Sequence, residues 1–367
     1  MMFGVKMNIV GIDMGKYKSY VVVEKDGTVV REGYVETTRE GITGSLLDIE
    51  DPTVIVESCS ILDWVANILD GYNIVAAHPS QVSLITHSNK KTDKNDAHTL
   101  IALYKCGHLP TSWIPPKKLR ELRDLCRARR FLVSKRTSMK NKIRDMAFRN
   151  GIDFERFNKS MLNALRTSSP LLSVFVGTLD GLESEIHDID AAIAKEAYDN
   201  DYAKLVKTIP GFGDYSSLSI SAEIGDINRF ANEDKVCAYA GMVQKTYQSG
   251  NIERKGHLIK QCNNFIKYLL IECVTIHVNR CGRCFICRNY RFKKRERGTK
   301  TARVSAARKL LKVIYYMLKR NQDFGSYLRD RDVRQWNSTA LRSSLDCAPL
   351  PIDKSKIAAP QPIGDCQ

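Results

Sequence analysis

The sequence contains no apolar run approaching the ~18 residues that a membrane-spanning helix needs. It also lacks a secretory start. MMFGVKMNIVGID leads into a strand pattern with no long apolar stretch before a small-residue cleavage site, so secretion is not expected, and Met7 is an alternative start. Without a secretory context, the eleven cysteines point to a reducing cytoplasm and not to a disulfide framework. With 43% hydrophobic and 27% charged residues, the chain is not one of those too polar to bury a core. Its 367 residues suggest two or three domains at ~150 residues each.

Negative charge is scarce: 41 acidic residues stand against 57 Lys and Arg, a net of +16. The excess is not spread evenly. Residues 117–149 carry 13 basic and 3 acidic side chains, and residues 280–320 carry 15 and 1, whereas 1–116 and 150–279 are each net negative by 4. Blocks of this kind release counterions when they meet a phosphate backbone, so nucleic acid is the expected partner.

The spacing of apolar residues predicts an α/β region followed by all-α regions. MNIVGIDM, SYVVVEKDGTVVREGYVE (two β-rich runs around Asp26-Gly27), TVIVES and NIVAAHP read as strands. Ile61, Leu62, Val65, Ile68 and Leu69 read as one helix face. Pro110, Pro115 and Pro116 mark a boundary, giving a first domain over 1–112. A basic helix over 117–149, a connection over 150–170 and a heptad seam (Phe175, Leu179, Leu182, Ile186, Ile189, Ile193) fill a second region, 113–200. That seam suits a coiled coil or a helical hairpin. A mostly helical region, 201–325, follows, with small and polar clusters at 209–217 and 244–264, and 326–367 reads as a tail.

Four carboxylates stand out by position. Asp13 and Glu57 each end an apolar strand, and Asp93 and Asp96 lie three apart, on one face of a helix. Strand ends of an open α/β sheet gather ligand-binding side chains. Carboxylates there can hold Mg²⁺, and a pair of ions can stabilise both the attacking and the leaving oxygen in phosphoryl transfer. G-I-D-M-G also resembles the first phosphate loop of actin-like kinases, but no second matching loop follows.

A second cluster lies further on. I-P-G-F-G at 209–213 looks like a helix-hairpin-helix turn, in which Gly211 and Gly213 let backbone N–H groups face a phosphate. Ser249 is followed by Gly250 and then by Arg254, Lys255 and Lys260, cations that can clamp a phosphodiester for attack by the hydroxyl. Tyr247 is a rival nucleophile, and a plain surface loop is the alternative. Lys293, Lys294 and Arg295 form the densest part of the second basic block. Cys281, Cys284 and Cys287 form C-x₂-C-x₂-C with no fourth ligand at short range, though Cys273 or His277 could serve. Three thiols on a basic helix are the preferred reading there, and zinc is not expected.

Taken together, G-I-D-M-G-K (11–16), Glu57-Ser58, H-P-S-Q-V (78–82), K-T-D-K-N-D-A (91–97), I-P-G-F-G, A-E-I-G-D-I-N-R-F (222–230), Y-A-G-M-V (239–243), Q-S-G-N (248–251), G-H-L-I-K (256–260) and A-A-R-K-L-L (306–311) resemble the DEDD-type insertion-sequence transposases, the group that includes Piv-like DNA invertases. The resemblance covers about residues 7–325. It implies a RuvC-like, RNase H-type N-terminal domain whose acids, here Asp13, Glu57, Asp93 and Asp96, hold Mg²⁺, as two ions per site. It also implies a helical C-terminal transposase domain whose serine, here Ser249, links covalently to DNA. A structured bridge RNA that pairs with donor and target DNA, and dimers assembling into tetramers, are further implications, with a cytoplasmic, nucleoid-associated location in a prokaryote. The chain departs from the family in having Cys262 before Asn263 where a glycine is usual, and in the cysteine triplet. Two other readings remain open: a RuvC-like hydrolytic nuclease or junction resolvase, and a non-catalytic nucleic-acid-binding relic.

Overall fold

The computed structural model describes residues 7–85, 92–249, 252–282 and 284–331. Gly250 and Asn251 of Q-S-G-N, Lys91 of K-T-D-K-N-D-A and the tail after Arg331 lie outside the described residues. The chain divides into two compact units, residues 1–193 and 194–367.

The first unit is built on a six-stranded mixed sheet. β1 (Asn8–Asp13), β2 (Lys18–Lys25) and β3 (Thr28–Glu36) form an antiparallel meander. The β2–β3 turn has Asp26 at φ 49° and Gly27 at φ 86°, the paired positive angles that a two-residue hairpin turn prefers. After α1 (Arg39–Gly44), β4 (Thr53–Glu57) lies parallel to β1. α2 (Leu62–Ile68) leads to β5 (Asn73–Ala77), parallel to β4, and α3 (Pro79–Ile85) and α4 (Asp93–Lys105) precede the short antiparallel β6 (Thr111–Ser112). The strand order is β3-β2-β1-β4-β5-β6.

Both faces of this sheet are covered. Val10, Ile12, Val21, Val23, Val54 and Val56 pack with Ile42, Leu46, Val65 and Leu69 on one face. Ile9, Tyr20, Val22, Ile55 and Ala77 pack with Ala97, Leu100 and Ile101 of α4 on the other. Two-sided burial is why β1 and β4 read as continuous apolar runs and not as alternations.

α5 (Lys117–Arg149) occupies the expected basic-helix span, and α7 (Pro170–Asp199), whose last residues belong to the second unit, carries the seam. Arg129 pairs with Asp190 at 2.8 Å, and Arg136 and Lys140 pair with Glu183 at 3.3 and 2.7 Å. Partner numbers fall on α7 as they rise on α5, so the two helices run antiparallel. Leu179, Ile186 and Ile193 are buried, whereas Phe175, Leu182 and Ile189 are half-buried. The heptad spacing therefore serves a helical hairpin within the chain. The expected connection at 150–170 contains α6 (Lys159–Ser168). Asn158 caps it by accepting from the Met161 N–H at 2.8 Å, and its fully buried Leu165 packs with Ile143, Ala147 and Leu172.

The second unit is mostly helical: α8 (Asp201–Lys207), α9 (Asp214–Ile224), α10 (Glu233–Tyr239), α11 (Asn264–Cys281) and α12 (Phe285–Arg320). α9 is buried from Ser216 through Ile224. α12 is two helical segments meeting at Gly298, whose φ of 78° breaks the helix. Where sequence alone suggests a loop, β7 (Gln244–Ser249) and β8 (Ile252–Leu258) form an antiparallel hairpin. Residues 324–331 are helical and extend past the expected start of the tail. Among the described residues, no helix is long and apolar enough to cross a membrane.

Candidate active site

Register alone lines up a row of side chains across the first sheet. Tyr34 on β3 pairs with Tyr20 on β2, and Tyr20 pairs with Asp13 on β1. Asp13 and Glu57 each follow the Ile12–Val56 pair of the parallel β1–β4 ladder, so the two acids lie side by side at adjacent strand ends. Alternation places Asp13 on the face of Ile9, and Glu57 on the face of Ile55, which is the face covered by α4.

α4 supplies the other two acids through its own periodicity. Its sheet-facing residues Ala97, Leu100 and Ile101 extend one turn back to Asp96 and Asp93 at helical spacing. Close approach is possible because residue 11 is glycine: a Cβ there would meet the Ala97 carbonyl oxygen at 2.6 Å. Thr92 caps the helix by accepting from the Asn95 N–H at 3.3 Å. Asp93 is exposed, and Asp13, Glu57 and Asp96 are half-buried.

Residues not singled out from sequence fasten this end of α4 to β3. The Tyr34 hydroxyl donates to Asp93 Oδ2 at 3.2 Å. The Asp93 carboxylate, with a smaller contribution from Asp13, holds the Tyr34 hydroxyl above its ordinary pKa. Glu32 pairs with Lys94 and, at 2.7 Å, with His98 Nε2. Hydrogen bonds from Lys94 and then His98 keep the Glu32 carboxyl below its usual value. The signal was present in the sequence: Glu32 and Tyr34 are two apart on a strand, and Lys94 and His98 four apart on a helix, so each pair shares a face.

The four acids are a donor set of oxygens only, at the open end of the sheet. This suits a hard, partly hydrated cation such as Mg²⁺, whose remaining positions are taken by water and phosphate oxygens.

In the second unit, Ser249 is the last residue of β7 and pairs with Ile252 across the hairpin connection. Gly-Asn between two alternating runs is a hairpin signal that could have been read from the sequence. Arg254 and Lys255 lie on β8, in register with Tyr247 and Thr246, and Lys260 follows β8 as an exposed residue. The rival nucleophile Tyr247 is 60% exposed.

The I-P-G-F-G turn does join two helices, α8 and α9. Gly211 has φ +98°, and a Cβ there would meet the backbone N of His277 on α11 at 2.8 Å. The Phe212 N–H is taken by the Ile209 carbonyl at 3.0 Å, and the Gly213 N–H by Ser216 Oγ at 3.0 Å. Within the structure these glycines seat the turn on α11 and start α9.

Both basic blocks keep exposed charge, on α5 at Lys117, Lys118, Arg127, Lys135, Lys142, Arg144 and Arg149. On α5, Arg120 is buried and donates to the Pro115 carbonyl at 2.6 Å, while Arg129, Arg136 and Lys140 pair with α7. On α12, Arg288, Arg291, Lys294, Arg295, Arg297 and Lys300 are exposed. The one acid in that block, Glu296, pairs with Lys293 at 3.1 Å. Burial, with the neighbouring cations Arg331 and Lys293, lowers the pKa of Lys309. Both α5 and α12 are therefore candidates for contact with a phosphate backbone.

The cysteine triplet is not left without a fourth partner. Among the described residues, His277, Cys281, Cys284 and Cys287 form a group whose potential ligand atoms all lie within 4.8 Å of one another. Cys273, the other candidate, is buried outside this group.

Comparison with known proteins places these features. Residues 10–147 match the DEDD transposase domain of IS110-type elements, described as a transposase, and residues 203–295 match the family described as Transposase IS116/IS110/IS902. The chain is similar to the transposase for insertion sequence element IS1111A of Coxiella burnetii, 25% identical over 72% of this chain and 76% of that protein. It is also similar to the transposase for insertion sequence element IS1328 of Yersinia enterocolitica, 23% identical over 75% of this chain and 85% of the other.

Proposed function

From the premise that the chain is an insertion-sequence transposase of the IS110 family, we propose that it cuts and rejoins DNA with Ser249 as nucleophile and Asp13, Glu57, Asp93 and Asp96 as the metal-holding acids. The observation that carries the reading is the alignment of Asp13 and Glu57 at adjacent strand ends beneath the stripe that ends in Asp96 and Asp93. The sheet order, with a three-stranded meander continued by parallel β4 and β5, supports a RuvC-like, RNase H-type domain.

The acids would hold Mg²⁺, as two ions, which when bound neutralise charge on the attacking and leaving oxygens of a phosphodiester. The Ser249 hydroxyl attacks the phosphorus, its proton is lost, and the bond to one sugar oxygen breaks. The departing sugar oxygen takes up a proton. A phosphodiester is thus exchanged for a phosphoserine and not hydrolysed, so that a second DNA hydroxyl can displace Ser249 and restore a continuous strand. Arg254, Lys255 and Lys260 would offset the charge that develops on the phosphate. Lys293, Lys294 and Arg295, with Gly211 and Gly213 as turn residues, belong to the nucleic-acid-binding part. The exposed cations of α12 support a partner with a phosphate backbone, either donor and target DNA or a structured bridge RNA that pairs with both. A dimer assembling into a tetramer is part of the same reading.

The test is a denaturing gel of the full chain with recombination substrate and Mg²⁺. Wild type is expected to form a protein–DNA adduct, and Ser249→Ala and Asp13→Asn are expected not to. Strand cleavage with free ends that survives Ser249→Ala would replace this reading with a hydrolytic nuclease or resolvase. Binding without any cleavage would replace it with a nucleic-acid-binding relic.

A further inference from the structure

The group at the junction of α11 and α12 has the layout of a closed four-ligand centre. His277 and Cys281 are one helical turn apart at the end of α11. Gly282, at φ +66°, ends that helix. Cys284 is the N-cap of α12, and Cys287 lies in its first turn. Two helix ends and a sharp reversal thus bring together four residues that span only eleven positions of sequence.

The distances are those of ligands around one ion. His277 Nε2 lies 3.2 Å from Cys284 Sγ, Cys284 Sγ lies 3.4 Å from Cys287 Sγ, and no pair in the group exceeds 4.8 Å. Tetrahedral zinc with Zn–S bonds of ~2.3 Å places two sulfurs about 3.8 Å apart, inside this range. His277 and Cys287 are fully buried.

The imidazole is also oriented as a ligand. Its Nδ1–H donates to the Pro210 carbonyl at 2.8 Å, which fixes the tautomer and leaves the Nε2 lone pair facing the thiols. A backbone carbonyl on the far nitrogen is the usual support of a metal-bound histidine. The Phe324 ring meets the imidazole edge-on at 5.7 Å, and Gly211 packs on the His277 backbone.

We propose that His277, Cys281, Cys284 and Cys287 bind one structural zinc ion in this chain. Three thiols lose their protons to solvent, the imidazole binds neutral, and the Zn²⁺–thiolate₃ centre carries one negative charge. Basic residues are close by in sequence: Arg280 precedes Cys281, Arg288 follows Cys287, and Arg291 donates to the Gly282 carbonyl. All four positions are filled by protein, so the ion has no open site for water and acts as a staple, not as a Lewis acid. It joins the I-P-G-F-G turn, through Pro210, to the start of α12, which carries the exposed cations. An iron–sulfur cluster, usually held by four thiolates, suits the set less well, because three thiols and an imidazole within 4.8 Å enclose space for a single ion.

The experiment is metal analysis of the full chain purified under reducing conditions without chelator. One zinc per chain is expected, released in step with thiol modification by a mercurial. Cobalt(II) exchanged into the site should give the visible bands of a tetrahedral thiolate complex. Cys284→Ser and His277→Ala are expected to lose the zinc, while His277→Cys and Cys273→Ser keep it. Strong chelation of wild type should lower its melting temperature. Substoichiometric zinc in wild type, with no uptake of added zinc, would overturn the proposal. So would an intact mass lacking two hydrogens with peptide mapping that locates a Cys284–Cys287 disulfide, or iron in place of zinc. Zinc retained by both Cys284→Ser and His277→Ala would also overturn it. If those two variants do not fold, the wild-type metal content and the cobalt spectrum decide the question.

Discussion

Tyr34, on the outermost strand of the meander, donates its hydroxyl to Asp93 in the first turn of α4, 59 residues away in sequence. This hydrogen bond ties one of the candidate metal-holding acids to the outer end of the row that runs from Tyr34 through Tyr20 to Asp13. Outer partners of metal ligands typically contribute about tenfold or more to metal affinity. Tyr34→Phe is therefore expected to raise the Mg²⁺ concentration needed for half-maximal cleavage by roughly tenfold, with the circular dichroism spectrum unchanged. A metal titration of cleavage measures it, and an unchanged midpoint would remove Tyr34 from the site.

Gly11 sets the spacing between β1 and α4. A Cβ there would meet the backbone oxygen of Ala97 at 2.6 Å and Ile101 Cγ1 at 2.8 Å. Gly11→Val is expected to destabilise the first unit by about 1–3 kcal/mol, the usual cost of overpacking. Cleavage should fall further than stability, because α4 carries Asp93 and Asp96 away from Asp13. Urea denaturation alongside cleavage assays separates the two effects.

The exposed cations of α12 should show in the salt dependence of nucleic-acid binding. Removing one cation that neutralises a phosphate reduces the slope of log K against log salt by ~0.9 on duplex DNA. Replacing Lys294, Arg295 and Arg297 together with alanine is expected to flatten that slope by roughly two to three units. Lys293→Ala should change it less, because Lys293 already pairs with Glu296. Binding isotherms at several salt concentrations provide the comparison.

The α5–α7 hairpin should weaken in acid. A hydrogen bond from Lys140, and then the charges of Lys140 and Arg136, hold Glu183 below its ordinary value of 4.5. A depressed carboxylate pKa contributes stability that is complete above the unfolded value, and that is lost as pH falls through the folded one. Stability is thus expected to be flat in this respect above about pH 4.5 and to decline below it. Glu183→Gln should remove that part of the decline, as read from melting temperatures across pH. The effect is small, because the side chain is 43% exposed and the pair is screened.

The strands of the first unit were legible because two-sided burial leaves long apolar runs, and α5 because its basic face and proline boundary are local signals. Asp13 and Glu57 could be picked out for the same reason: a charge that ends an apolar run is visible in one dimension. The β7–β8 hairpin was less visible, since its residues are mostly polar and only Gly250-Asn251 marks the reversal. α6 was legible but missed: Met161, Leu162 and Leu165 share one helical face behind the cap residue Asn158, though the helix is only ten residues long.

Local residue chemistry by itself determined the strand-ending acids, the capped and basic helices, and the positive surplus that calls for a phosphate partner. Only the tertiary structure decided which distant groups meet. It placed Tyr34 on Asp93, seated Gly211 against His277, and turned the imidazole of α11 toward three thiols that straddle a helix reversal. It also divided the basic residues of α5 into those tied up by α7 and those left exposed, as on α12. Short-range signals are carried by backbone preference and by the period of burial. Contacts between elements depend on packing, which no local window of sequence contains.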